Sequence, residues 1–143
     1  MATNRTSPGA LRVLSAIATH PIVHFIALLG LCAAYLQGGA QKLLDFNAAI
    51  GEARHFGLVP AAPFAVATIV TELGGSALIL SGYYRWLGAL CLAGFTLAAS
   101  FVANRFWELP MPDRFMVENA FFEHLGLVGG FVLVAWQDLK RGQ

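Results

Sequence analysis

The sequence is short of charge. Of its 143 residues only 12% are Asp, Glu, Lys or Arg, whereas 57% are hydrophobic. A soluble globular domain carries about 25% charged residues, so half that share, combined with four long apolar runs, predicts an integral membrane protein. The formal net charge of +1 argues against the basic face that nucleic-acid-binding proteins present. We therefore expect the lipid bilayer as a partner, and not nucleic acid.

Cysteine is also scarce, and its two copies, Cys32 and Cys91, form no Cys-x-x-Cys pair. Their expected depths in the bilayer differ by roughly 9 Å, which exceeds the usual reach of a disulfide. His20 and His24 come closest to metal-ligand spacing, but ligation normally needs further ligands and an orienting second shell. No metal site and no catalytic residue are therefore predicted, and an independent enzyme is not the favoured interpretation.

The four apolar runs predict an all-α protein, an integral membrane four-helix bundle built as one domain over residues 1–143. Between the first two spans, residues 45–55 are amphipathic and are typical of a short helix at the membrane surface. Gly57-Leu-Val-Pro60 should end that helix, because proline cannot continue it. The predicted spans are residues 21–41, 61–82, 86–106 and 119–136.

Small residues recur within three of the predicted spans. Small side chains four residues apart let a neighbouring helix approach closely in a membrane. The sequence therefore predicts close helix contacts at three places, which are the stripe Gly30, Ala34 and Gly38, the pair Gly94 and Ala98, and the pair Gly126 and Gly130.

The placement of Lys and Arg predicts which way the chain crosses the membrane, since these residues are enriched in cytoplasmic segments. Four spans put both termini on one side. That side would carry Arg5, Arg12, Arg85, Lys140 and Arg141, and the other side Lys42, Arg54, Arg105 and Arg114. Lys42 and Arg105 abut helix ends and can turn inward. Without them the bias places both termini in the cytoplasm.

One carboxylate, Glu72, stands near the middle of the second span. An acidic residue at a helix centre costs roughly 2.5–3.5 kcal/mol on insertion, and the eight large apolar residues of the same run together return roughly 2.4–4.8 kcal/mol. The span is therefore marginal alone. We expect Glu72 to face the bundle interior and to meet a donor or a positive charge, or else to be protonated. Gly74 and Gly75 follow it and leave room for a helix or a ligand.

The expected partners of Glu72 lie at the non-cytoplasmic ends of the spans. Lys42 closes the first span, Arg105 closes the third, and Glu123 and His124 begin the fourth. Packed together, these groups would form a polar funnel above Glu72, and they are our candidates for ligand binding or proton handling. Two alternatives stay open: a solvated rim of helix ends, and a purely structural role for Glu72 in fixing helix register.

Five short motifs, in this order, resemble those of the DoxX family of small bacterial membrane proteins. The resemblance runs from about Leu28 to Ala135. The motifs are Gly39-x-x-Lys42-Leu43, Gly57-Leu-Val-Pro60, Glu72-x-Gly74-Gly75, Gly82-x-x-Arg85, and Phe131 after Gly129-Gly130.

The resemblance implies a four-helix bundle in a bacterial inner membrane. The family takes its name from a subunit of a thiosulfate:quinone oxidoreductase, and a related actinobacterial member is linked to a membrane complex that handles thiols under oxidative stress. It thus implies a membrane subunit or anchor of a redox system. Quinone is the candidate cofactor, and a soluble or membrane oxidoreductase is the candidate partner. A homo-oligomer of this chain is also compatible with the resemblance.

Two points qualify the resemblance. Many similar sequences carry Lys-Asn where this one carries Glu123 and His124, so the local charge is reversed. We hypothesise that Glu123 pairs with Lys42 or Arg105. The alternative function is a small proton-coupled transporter, because four spans with one membrane-embedded glutamate, Glu72, suit that mechanism.

Overall fold

The computed structural model describes residues 8–142, and this part of the chain is all-helical with no strand. It contains seven α-helices, one π-helical turn and one 3₁₀ turn. In chain order these are α1 (Pro8–Ala18), α2 (Pro21–Leu44), α3 (Phe46–His55), α4 (Ala61–Ile69), the π turn (Val70–Gly74), α5 (Gly75–Ser81), α6 (Arg85–Ala103), the 3₁₀ turn (Phe106–Glu108) and α7 (Asp113–Arg141).

Four helical segments among the described residues are long and apolar enough to cross a membrane. They are α2, the continuous rod formed by α4, the π turn and α5, then α6, and α7. Each matches one predicted span. Large apolar side chains are exposed on all four, as a hydrocarbon solvent allows. The end of the molecule at which α2 and α6 terminate is called the α3 end. The opposite end is called the α1 end.

The prediction that the fourth span begins near Asn119 is wrong for the helix itself, which begins six residues earlier at Asp113. The loop before it ends at Pro112, after which nothing interrupts a helix. Asp113 adds a negative charge to the first turn, where the helix dipole favours it. Arg114 and Glu118 form an i,i+4 ion pair of 3.5 Å that supports the same turn.

The core lies between α2, α5, α6 and α7. Tyr35 stands at its centre and meets Phe131 edge to face, with ring centroids 5.3 Å apart. These two rings contribute much of the packing between the helices, since aromatic side chains bury the largest areas. The largest fully buried side chains among the described residues are Cys32, Ser76, Ile79, Leu92, Ser100 and Phe131.

The glycines that lie where two helices come close together are mostly not the ones that the sequence predicted. A Cβ on Gly88 would lie 2.6 Å from the carbonyl oxygen of Gly75, so α5 and α6 touch backbone to backbone there. A Cβ on Gly30, Gly94 or Gly126 would meet nothing within 4 Å. The predicted contacts at these three positions are wrong, because the spacing of small residues does not say which face of a helix meets a neighbour.

The turn between α5 and α6 is tied to α7 at the α1 end. Gly82 takes the left-handed conformation (φ 82°) that ends α5. Arg85 Nε donates to the carbonyl of Ile79 at 2.9 Å, and the Arg85 guanidinium lies 3.8 Å from Asp138. Asp138 also accepts the Trp86 N–H at 3.1 Å. The motif residues Gly82 and Arg85 therefore have a structural role here.

Candidate functional site

Glu72 lies on the π turn that interrupts the α4–α5 rod. Its exposed fraction is only 6%, so the prediction that it faces the protein interior is confirmed. A π turn is a local widening of an α-helix and is frequent at functional sites. The Glu72 carbonyl accepts a hydrogen bond from Ser76 Oγ at 2.7 Å, which satisfies a backbone group in the widened turn.

Lys42 is the partner of Glu72. Its Nζ donates to both carboxylate oxygens at 3.4 Å, which confirms that Glu72 meets a positive charge. The same Nζ lies 3.7 Å from Glu52 on α3. We call Glu72, Lys42 and Glu52 the Lys42 cluster. It joins a buried carboxylate to one whose side chain is 50% exposed.

Two glycines of α2 make room for this cluster. A Cβ on Gly38 would lie 3.4 Å from Lys42 Nζ and 3.6 Å from Glu72. A Cβ on Gly39 would lie 2.8 Å from the side chain of Leu73. The motif residue Gly39 therefore sets how closely α2 approaches the π turn, and Gly38 provides the space for the ion pair.

The Lys42 cluster is weak evidence for a purely stabilising role. A buried ion pair gains little net stability, because desolvation offsets the attraction, whereas removing one partner is costly. Lys42 lies at similar distances from a buried and a half-exposed carboxylate. One cation is therefore shared between a buried carboxylate on the π turn and a half-exposed one on α3.

A second polar group, which we call the His124 cluster, crosses the protein between α2, α6 and α7. The Thr96 hydroxyl donates to the Leu92 carbonyl at 2.6 Å, so the Tyr35 hydroxyl donates to Thr96 in their short hydrogen bond. Ser100 Oγ lies 2.7 Å from the Thr96 carbonyl and 3.0 Å from His124 Nδ1. Asn104 Nδ2 lies 3.0 Å from the same nitrogen.

The other predicted members of the funnel do not join these clusters. Arg105 forms an ion pair of 3.5 Å with Glu108 on the 3₁₀ turn, and both side chains are about half exposed. Glu123 is exposed and has no ion pair within residues 8–142. The hypothesis that Glu123 pairs with Lys42 or Arg105 is therefore wrong, since both cations take nearer carboxylates. Adjacent positions on α7 point apart, which separates Glu123 from His124.

The remaining motif glycines have different surroundings. A Cβ on Gly75 would lie 2.8 Å from Leu92 on α6, and one on Gly130 would lie 3.2 Å from Leu31 on α2. Gly74 and Gly129 would meet nothing within 4 Å. Gly74 is exposed and leaves an opening on the surface of the rod, but positions two apart on a helix do not face the same side, so this opening does not adjoin the buried Glu72 carboxylate.

The two cysteines and His20 lie outside these clusters. Cys32 is buried, Cys91 is exposed, and both are free. His20 Nδ1 accepts the Ile22 N–H at 3.2 Å and so caps α2. Within the described residues no group of three or more His, Cys, Asp or Glu side chains is placed to hold a metal ion.

Comparison with known proteins gives one match. A family model described as DoxX matches residues 24–105, which is more than half of the chain. The chain belongs to the DoxX family. The comparisons with curated proteins and with solved structures found no match. Together with the four apolar helices of the described residues, membership makes this DoxX chain a multi-pass membrane protein.

The DoxX match includes every residue of the Lys42 cluster, and it ends before His124 and Glu123. The predictions for Glu72 and Lys42 therefore concern the family segment, whereas the His124 cluster combines that segment with α7.

Sequence reasoning missed several members of both clusters in this DoxX chain. Glu52 is not among the predicted site residues, and only the packing of α3 shows that it reaches Lys42. Thr96 and Ser100 lie four residues apart on one face of α6, and Asn104 follows at the same spacing just after the helix ends. That spacing was the available signal for the His124 cluster.

Proposed function

We propose that this DoxX-family chain is a membrane subunit or anchor of a redox or oxidative-stress system, and that it works with a quinone. In this proposal its four spans form a single-domain bundle in a bacterial inner membrane, α3 lies at the membrane surface, and both termini are cytoplasmic. The observation that carries the proposal is the Lys42 cluster, with its buried carboxylate on a π turn inside a membrane helix.

The chemistry of a quinone explains why such a cluster would be useful. Reduction of a quinone to a quinol takes up two electrons and two protons. An oxidoreductase partner, soluble or membrane-bound, would supply the electrons. The protons need ionisable groups inside the bilayer, where such groups are rare and usually functional. Glu72, Lys42 and Glu52 connect the interior to the α3 end and can carry protons along that route.

The residues near Glu72 fit a ligand of this kind. Lys42 supplies a donor for a quinone carbonyl, and Glu72 supplies an acceptor for a quinol hydroxyl.

Bound quinone in the purified protein tests this proposal. The protein is isolated in mild detergent, and the quinone is extracted and quantified by chromatography. We expect quinone to co-purify with the wild type and to fall at least about fivefold in Glu72→Gln. Glu118→Gln is the matched control, because Glu118 pairs with Arg114 away from the Lys42 cluster, and its quinone content should match the wild type. Equal quinone in all three proteins, or none in any, would contradict the proposal.

The second candidate function is a small proton-coupled transporter. The shared position of Lys42 between a buried and a half-exposed carboxylate favours it, because an ion pair with two alternative partners can couple proton uptake to a change of shape. In proteoliposomes, solute flux driven by a pH gradient and lost in Glu72→Gln would support transport. Co-purification of an oxidoreductase with neither quinone nor flux would instead indicate a scaffold.

A further inference from the structure

An open cleft lies at the α3 end, between α3, α6, the 3₁₀ turn and α7. It is separate from the opening at Gly74, and neither the Lys42 cluster nor the His124 cluster lines it. The residues that define it are His55, Phe56, Val102, Arg105, Glu108 and Val117.

The polar residues of this cleft offer both donors and acceptors. The Arg105 guanidinium can only donate hydrogen bonds, and the Glu108 carboxylate can only accept them. A neutral His55 imidazole donates from one ring nitrogen and accepts at the other. Arg105 and Glu108 are held 3.5 Å apart and are about half exposed, so both can turn hydrogen bonds toward a ligand. Arg105 Nε is fixed by the Phe101 carbonyl at 3.2 Å, which orients the guanidinium.

The apolar residues of the cleft come from helices that cross the membrane. Val102 lies on α6 and Val117 on α7, and Phe56 adds an aromatic ring from the end of α3. A ligand with a polar head between Arg105 and His55 would therefore run its tail along α6 and α7 toward the lipid.

We propose that this cleft binds the headgroup of a lipid-soluble quinone or quinol. The site is additional to the one near Glu72 and rests on the proposed function. Quinone carbonyls take hydrogen bonds from Arg105 and His55, and quinol hydroxyls donate to Glu108 and His55. The headgroup is neutral in both forms, which suits a lining of one guanidinium and one carboxylate. A phosphate headgroup would be attracted by Arg105 and repelled by Glu108, so this lining offers it no net positive charge.

The cleft is also connected to the Lys42 cluster through α3. Glu52 and His55 are three residues apart on this helix, and side chains at that spacing are neighbours. Glu52 in turn lies 3.7 Å from Lys42 Nζ. A headgroup held by His55 therefore lies at the start of a row of ionisable groups that ends at Glu72.

Tryptophan quenching by decylubiquinone tests the site in the full-length protein. Quinones quench indole fluorescence at short range, and Trp107 lies on the 3₁₀ turn between Arg105 and Glu108. Trp86 and Trp136 lie at the α1 end. The variant Trp86→Phe/Trp136→Phe therefore reports from the cleft, and Trp86→Phe/Trp107→Phe reports non-specific partitioning at the opposite end.

We expect saturable quenching of Trp107 and only linear quenching of Trp136. Arg105→Gln and His55→Gln, each added to the Trp107 reporter, should raise the half-saturating concentration about tenfold, the usual effect of losing a hydrogen bond that involves a charged group. Arg114→Gln is the matched control, since it removes an exposed cation of the same end that does not line the cleft, and we expect a change under about twofold. Thermal unfolding of each variant separates lost binding from lost folding.

The outcomes separate this inference from the proposed function. Linear quenching of Trp107, or equal effects of Arg105→Gln and Arg114→Gln, would overturn the cleft site. If purified protein still carries quinone that Glu72→Gln removes, the proposed function stands without it. Saturable quenching that an anionic phospholipid abolishes would also overturn the inference, by identifying a lipid headgroup as the occupant. Saturable quenching lost in both cleft variants but kept in Glu72→Gln would establish the cleft.

Discussion

At the scale of single residues, the two carboxylates that attract attention in the sequence have opposite surroundings. Glu72 is buried and forms an ion pair with Lys42, whereas Glu123 is exposed and has no ion pair in the described part of the chain. Both lie in apolar helices, so hydropathy alone treats them alike. The difference arises because Lys42 ends α2 within reach of the π turn, and no cation reaches Glu123.

Removing Lys42 should harm the protein more than removing the charge of Glu72. Lys42→Met leaves a buried carboxylate without its partner, which costs about 3–5 kcal/mol of unfolding free energy. Adding Glu72→Gln to the same protein should recover most of that loss, since no uncompensated charge remains. Unfolding in mixed detergent measures both effects. A double variant no more stable than Lys42→Met would refute the coupling between the two residues.

Neighbouring residues of α7 should respond differently to the same substitution. His124→Ala removes hydrogen bonds with Ser100 and Asn104 and should lower the unfolding free energy by about 1–3 kcal/mol, because polar groups lose a buried partner. Glu123→Ala removes an exposed side chain and should change it by less than about 0.5 kcal/mol. Similar losses in both variants, measured in the same detergent, would show that Glu123 has a partner after all.

At the scale of helices, the molecule is held together by a few close backbone approaches and two polar clusters. Gly88 and Gly75 bring α5 against α6, and Gly39 brings α2 against the π turn. In a bilayer such contacts matter because apolar side chains gain little by leaving lipid for protein. The helices therefore associate where backbones touch and where polar groups satisfy one another.

Two glycines of α6 form a matched test of this point. Gly88→Ala puts a Cβ 2.6 Å from the Gly75 carbonyl oxygen, which forces α5 and α6 apart and should cost about 1–3 kcal/mol. Gly94→Ala meets nothing within 4 Å and should be neutral or slightly stabilising, because alanine favours a helix more than glycine does. The unfolding temperatures of the two variants give the comparison. Equal temperatures would mean that the α5–α6 contact does not limit stability.

At the scale of the whole molecule, the two ends are different. The α1 end carries the Arg85–Asp138 contact and the basic residues of α7, and the α3 end carries the Lys42 cluster and the open cleft. The proposed topology puts the α1 end in the cytoplasm, although Arg105 is half exposed and, unlike Lys42, does not turn inward as that prediction assumed. Ligand chemistry would then lie toward the opposite side of the membrane.

A pair of C-terminal fusions checks this orientation. A fluorescent protein fused after Gln143 should be bright, and alkaline phosphatase fused at the same position should be inactive, because the phosphatase matures only outside the cytoplasm. Fusions placed after Gly57, between α3 and α4, should give the reverse pattern. Phosphatase activity at Gln143 would invert the proposed topology.

Much of the architecture was predictable because lipid imposes a simple rule. A span must be apolar and about 20 residues long, so three of the four spans were located to within about three residues at each end. The start of α7 was missed because its first turn is polar and charge pairing, not hydropathy, extends it. The site was only half predictable. The apolar residues around Glu72 in the sequence singled it out and indicated that it needs a cationic partner. Four Lys and Arg residues lay on the predicted non-cytoplasmic side, so the sequence could not say which one is the partner.

The sequence by itself determined that the chain is helical and membrane-spanning, that Glu72 needs a partner, and that the motifs belong to DoxX. These follow from hydropathy and local spacing, which the chain carries whatever its packing. Only the tertiary structure decided that Lys42 is the partner, that Glu52 shares it, that Glu123 stands apart and that α5 and α6 touch at Gly88. Those facts depend on which helix faces meet, and a repeat of small or apolar residues does not encode its neighbour.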